Sequence, residues 1–215
     1  MAQKKETIVE EKKGVVSTDV NVKVLPVADP AALGLIGLAV AALLLGSVYL
    51  QLVSSVPSKS LMIPWILFFG ATAQLIAGAM EFKRNNIFGA TVFSVYAMTM
   101  YSIALTLVIN NSSALKPGNM SHYAYGLVGI LIFSLIATVA SLMTNKVLFS
   151  ILIAVDLAVA LLIPHYLLEM SGQPAGVFLI LTSVLSFYAA AAVVLNTMAG
   201  KTVLPLGKPL WIPKR

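Results

Sequence analysis

The chain of 215 residues contains no cysteine, and only 10% of it is charged. Without cysteine there can be no disulfide, no thiolate metal ligand and no cysteine nucleophile. Histidine is nearly absent too, with 2 residues, so a histidine-rich metal centre and a His-Glu-x-x-His hydrolase are both excluded. No serine-centred nucleophile elbow occurs either. These absences point away from an enzyme, and no cofactor is expected. A soluble domain carries about 25% charged residues. A chain that is 59% hydrophobic cannot hide such a deficit in a core of this size.

What the chain does contain is six long apolar runs, at about 33–54, 61–80, 87–109, 123–143, 147–168 and 174–198. A bilayer core requires about 20 apolar residues per helix. Backbone in that core must satisfy its own hydrogen bonds, which makes helices the natural solution. The expected fold is therefore an all-α integral membrane protein, a six-transmembrane-helix bundle over 28–200. Residues 1–27 are polar and charge-balanced and read as a disordered cytoplasmic tail. Residues 201–215 hold too many prolines for helix and form a second, C-terminal tail.

The net charge of +6 is distributed by topology. With six helices, both termini and the loops near Lys83, Arg84 and Lys146 share one side. That side takes all but Lys59 and Lys116 of the 14 basic residues. The positive-inside rule then places both termini in the cytoplasm of a multi-pass cell-membrane protein. The expected contact of the basic residues is the headgroup region of the lipid bilayer, and nothing supports nucleic acid.

Small and polar residues mark the faces on which helices meet. Gly34, Gly37, Leu38, Ala41, Ala42 and Leu45 form one stripe in the first run, allowing close helix approach. Gly70, Gln74, Ala77, Gly78 and Glu81 fall within roughly 100° of arc on the second. Gln74 lies deep in its span and must face protein or water, because an unpartnered amide in lipid is costly. Glu81 has an ion pair with its basic neighbours as its plainer alternative. Gly89, Phe93, Tyr96 and Met100 make a stripe on the third run, with packing as the plainer alternative to a gate. Asp156, alone at mid-depth in the fifth, is the one formal charge within the six runs. A carboxylate there marks a functional site by default, usually a cavity or a proton path. It is the proton-coupling candidate, against the alternative of a neutral acid bridging two helices. His165 reads as a solvated interfacial residue.

With these stripes in view, a family resemblance becomes specific. Asp29-Pro30-Ala31-Ala32-Leu33-Gly34-Leu35 resembles the Asn-Pro-Ala-Pro-Leu-Gly-Leu signature of the acetate uptake transporter family, which includes the succinate–acetate permeases. A second block, Gly70, Gln74, Gly78 and Glu81 followed by Asn86, Phe88-Gly89, Thr91, Phe93 and Tyr96, is similar too. So is a third, Leu195-Asn196 with Gly200 to Gly207. The resemblance implies a homohexameric ring in which each protomer passes acetate, and in some members succinate. Both proton symport and anion-channel behaviour are described for the family. The substrate-binding candidates by motif are Asp29, Pro30, Leu33, Gly34, Gln74, Glu81, Asn86 and Thr91. The implied hydrophobic constriction is Leu38, Tyr96 and Val155. Asp29 departs from the signature asparagine, Ala32 from its second proline and Leu38 from the usual aromatic. Ammonia or proton export, suggested by the yeast branch, and a non-transporting scaffold are the alternatives.

Overall fold

The computed structural model describes residues 27–52, 60–112, 114 and 118–213. The N-terminal tail up to residue 26, Lys59 and Lys116 lie outside the described residues. Six helices are long and apolar enough to span a bilayer: α1 (Ala31–Tyr49), α2 (Met62–Lys83), α3 (Ile87–Asn111), α4 (Met120–Ser141), α5 (Lys146–Leu168) and α6 (Gln173–Ala199). No strand occurs among the described residues. The chain is a multi-pass membrane protein.

Local chemistry sets the helix ends. The Asp29 carboxylate accepts the Ala31 amide at 2.9 Å, directly before α1. Asn86, Asn119 and Asn145 each accept an amide from the first turn of α3, α4 and α5, satisfying donors that have no partner within the helix. The helix α6 starts with Pro174 in its first turn and ends at Gly200, whose φ of 62° suits glycine. At the far end of α1 the expected run to residue 54 is cut short. Gln51 adopts φ 56°, a left-handed conformation that stops the helix after Tyr49.

A regular 3.6-residue period fails within α2. Ile66–Ala73 winds as a π-helix, wider than an α-turn. The stripe Gly70, Gln74, Ala77, Gly78 and Glu81 is nevertheless buried throughout.

Packing follows the small residues. The helix α1 lies along α6, α5 joins α4 to α6, and α2 packs against α1 and α3. Ser183 of α6 donates to the Ala39 carbonyl of α1 at 2.8 Å. At Gly37, α1 approaches the backbone of α2 so closely that an added Cβ would collide with the Phe69 carbonyl. Consecutive helices α3 and α4 touch little. Between them runs an open apolar groove of about 400 Å³. Residues such as Phe68, Leu105, Ile136 and Val184 are exposed on the outside, the arrangement expected of a surface that faces lipid.

After α6 the chain folds back over the bundle. The Asn196 side chain accepts the Val203 and Leu204 amides and donates to the Leu204 carbonyl. Leu206 accepts the Val147 amide, and the Leu210 and Trp211 amides both donate to the Leu142 carbonyl. The third motif block thus folds the segment back on Asn196 of α6 and, through Leu206, reaches the first turn of α5.

Candidate functional site

Helices α1, α3 and α5 each turn one residue of the expected constriction inward. Leu38, Tyr96 and Val155 are 6%, 3% and 7% exposed, and all three line one cavity inside the protomer. The cavity holds about 50 Å³, room for a small solute or a few waters rather than a wide lumen. It extends towards Tyr49, Tyr123 and Leu162 at the end of the bundle opposite the termini. Towards the termini, Leu35, Phe93, Ile151 and Leu152 are packed and buried in the same core.

The wall of this cavity is almost wholly apolar. Thr99 and Thr182 line it, but each donates its hydroxyl proton to a carbonyl of its own helix, Val95 at 2.9 Å and Phe178 at 2.8 Å. The Tyr49 and Tyr166 hydroxyls pair with each other at 2.5 Å. Tyr123 and His165 pack edge-on against Tyr166, closing an aromatic cluster at that end. His165 binds the Met170 carbonyl at 2.6 Å through Nδ1, so it has a definite protein partner.

Asp156 sits directly after Val155 and is 6% exposed. Its two carboxylate oxygens accept separate hydroxyls from α4: Ser134 on Oδ1, and Thr138 on Oδ2 at 2.6 Å. Ser134 also shares a hydrogen bond with the Tyr96 hydroxyl, at 2.7 Å. Three helices therefore meet in one chain of polar atoms, Tyr96–Ser134–Asp156–Thr138, which begins on the cavity wall. Neither Ser134 nor Thr138 was marked by sequence pattern. Serines and threonines in apolar helices usually bond back to the preceding turn, as Thr99 and Thr182 do here.

The remaining candidates lie elsewhere. Asp29, Glu81 and Asn86 gather at the end carrying the termini. Arg84 reaches Asp29 at 2.9 Å and Glu81 at 3.4 Å, and Asn86 donates to Glu81 at 3.0 Å. The extra charge of Asp29 is thus paired, and Glu81, at 1% exposure, is a buried group rather than a surface one. Because Arg84 remains one-third exposed, removing it costs less than breaking a fully buried pair. Arg84→Ala should lower stability in detergent by about 1–2 kcal/mol, read as a fall in melting temperature, with Arg84→Lys recovering part of it. Gln74 is fully buried; its amide nitrogen donates to the Gly70 carbonyl at 2.6 Å while Oε1 has no partner. It packs beside Gly37 and does not line the cavity. Gly34 and Pro30 are buried, Gly34 facing the Phe93 ring, whereas Leu33 is exposed and Thr91 half-buried.

Comparison with known proteins supplies a frame for this geometry. The sequence model of the GPR1/FUN34/yaaH family matches residues 16–207. The succinate-acetate/proton symporter SatP of Escherichia coli is 29% identical over 189 residues, which covers 84% of this chain and 96% of that protein. A protein of unassigned function from Methanothermobacter thermautotrophicus is 29% identical over 198 residues, 83% of this chain and 90% of its own. The solved structure of the bacterial acetate channel SatP superposes with a TM-score of 0.78 at 26% identity, over 85% of this chain and all of that one.

Proposed function

The chain belongs to the GPR1/FUN34/yaaH family, and on that premise we propose that it passes acetate across the membrane through the cavity of each protomer, with proton movement linked to substrate movement. The observation that carries this reading is the narrow apolar cavity bounded by Leu38, Tyr96 and Val155, with the Asp156 carboxylate one residue behind its wall. Aliphatic walls accept a methyl group, and a constriction of this kind gates by excluding water. A carboxylate anion must shed strongly held water to enter, whereas the neutral acid sheds less. The relative named as a succinate-acetate/proton symporter supports both the substrate and the proton link. A cavity of about 50 Å³ suits acetate better than larger dicarboxylates.

In this reading both termini lie in the cytoplasm, as the lysine and arginine distribution implies. Six copies form the ring, with α4 offering Gly126 and Gly129, where an added Cβ would meet nothing within 4 Å. Small residues exposed to lipid suit contact with another helix.

Radiolabelled acetate entering proteoliposomes tests the proposal. Uptake should exceed that of empty liposomes and rise several-fold when the outside is made acidic. Uptake equal to that of empty liposomes under both conditions would end it. Native mass spectrometry of the same preparation should give six copies.

A further inference from the structure

Resting on the proposed acetate passage, we infer that Ser134 relays the protonation state of Asp156 to Tyr96, and so decides whether Tyr96 offers a hydrogen-bond donor to a carboxylate at the constriction. The inference follows from counting protons along the hydrogen bonds. An ionised Asp156 only accepts, so the Ser134 hydroxyl must spend its one proton on Oδ1. Ser134 Oγ is then left to accept from Tyr96, at 2.7 Å, and the Tyr96 proton points away from the cavity. Thr99 and Thr182 already donate within their own helices. In this state Tyr96 offers only a lone pair to an approaching anion at the constriction, while the other tyrosine hydroxyls of the cavity, Tyr49 and Tyr123, lie at its far end.

Adding one proton to Asp156 reverses the direction of the chain. The carboxylic acid becomes a donor to Ser134 Oγ, Ser134 turns its proton to the Tyr96 oxygen, and the Tyr96 O–H is released towards the cavity. No proton travels along the chain; each hydroxyl only rotates about its C–O bond. Proton uptake on one helix thereby makes the constriction receptive to an anion on another, which couples the two without direct contact between Asp156 and substrate. Tyr96 is the group that meets the substrate, and Ser134 is a positioning residue.

The surroundings of Asp156 leave little else to titrate. Helix α4 faces it with Ser134 and Thr138, neither of them titratable, and α3 faces it with Tyr96. The neighbouring helices α1 and α6 contain no charged residue over Ala31–Tyr49 and Gln173–Ala199. Tyr49 is paired with Tyr166, and Tyr188 donates to the Pro205 carbonyl. On α5 itself, Lys146, His165 and Tyr166 lie two to three turns from Asp156.

The test is acetate exchange in proteoliposomes with the same pH on both sides, profiled across pH. The neutral fraction of the substrate changes identically for every variant, so differences between profiles report the protein. Asp156→Asn, which can donate to Ser134 at any pH, should hold the acid-condition flux up to neutral pH. Ser134→Ala should flatten the profile, and Ser134→Thr, which keeps the hydroxyl, should restore it. Thr138→Val, which removes the other hydroxyl on the carboxylate but leaves the Tyr96–Ser134–Asp156 bonds, should keep a pH-dependent profile. A second readout is independent of transport. The infrared difference spectrum on a pH jump should contain a Tyr96 C–O band that disappears in Tyr96→Phe, Asp156→Asn and Ser134→Ala. Wild-type pH profiles and an unchanged tyrosine band in Asp156→Asn and Ser134→Ala would overturn the relay. Absence of exchange in the unmodified protein would instead strike the acetate reading, and the infrared band would still decide the relay.

Discussion

Gly37→Leu should leave no folded protomer to assay. An added Cβ at Gly37 runs into the Phe69 carbonyl, with Gln74 Cγ at 3.1 Å and Ala73 Cβ at 3.4 Å beside it. The obstructing atom is backbone, inside the π-helical stretch of α2, so a side-chain rotation cannot relieve the contact. Overpacking a core commonly costs about 1–3 kcal/mol, and leucine adds three carbons beyond the colliding one. The leucine variant should elute as aggregate by size exclusion in detergent. Gly37→Ala should still fold, with stability reduced by about 1–3 kcal/mol in a thermal scan. A monodisperse Gly37→Leu protein with the parent melting temperature would show that α1 and α2 do not meet as described.

Val155→Phe should suppress transport while the bundle survives. Val155 is 7% exposed and borders the cavity of about 50 Å³. A phenyl ring there fills the space a solute needs, and the same space lets the ring enter without displacing backbone. We expect acetate flux to fall at least about tenfold, equivalent to raising the barrier by about 1.4 kcal/mol. Leu157→Phe, two residues on and on the exposed outer face, is the matched control and should transport normally. Equal flux in both variants would mean that solute does not travel past Val155.

Much of this architecture is legible in the sequence because lipid leaves so few options. All six expected runs became helices, and the stripes on the first three are buried faces apart from the half-buried Leu45. The turn ends were harder, since a single left-handed residue such as Gln51 ends a helix that hydrophobicity would extend. The π-helical stretch has no signal in a 3.6-residue count, because the apolar residues on either side of it suit both windings. The position of Asp156 was obvious from its charge, but its partners were not. Ser134 and Thr138 are spaced like any hydroxyls that bond back along a helix, and only the approach of α5 assigns them to the carboxylate. The burial of Glu81 was hidden for a similar reason: its neighbours in sequence are charged and Arg84 does pair with it, yet the turn after α2 also folds Asn86 over it.

The hydrogen bonds made by the segment after Gly200 reach further than the tail itself. They fasten it to the last turn of α4 and the first turn of α5, the two helices that supply Ser134, Thr138 and Asp156. The segment after Gly200 is therefore a clasp on the two helices that hold the buried carboxylate and its hydroxyl partners. Severing it ahead of Leu204 would let those helices part at their base, and a bulky fusion at the C-terminus would tug on the same latch.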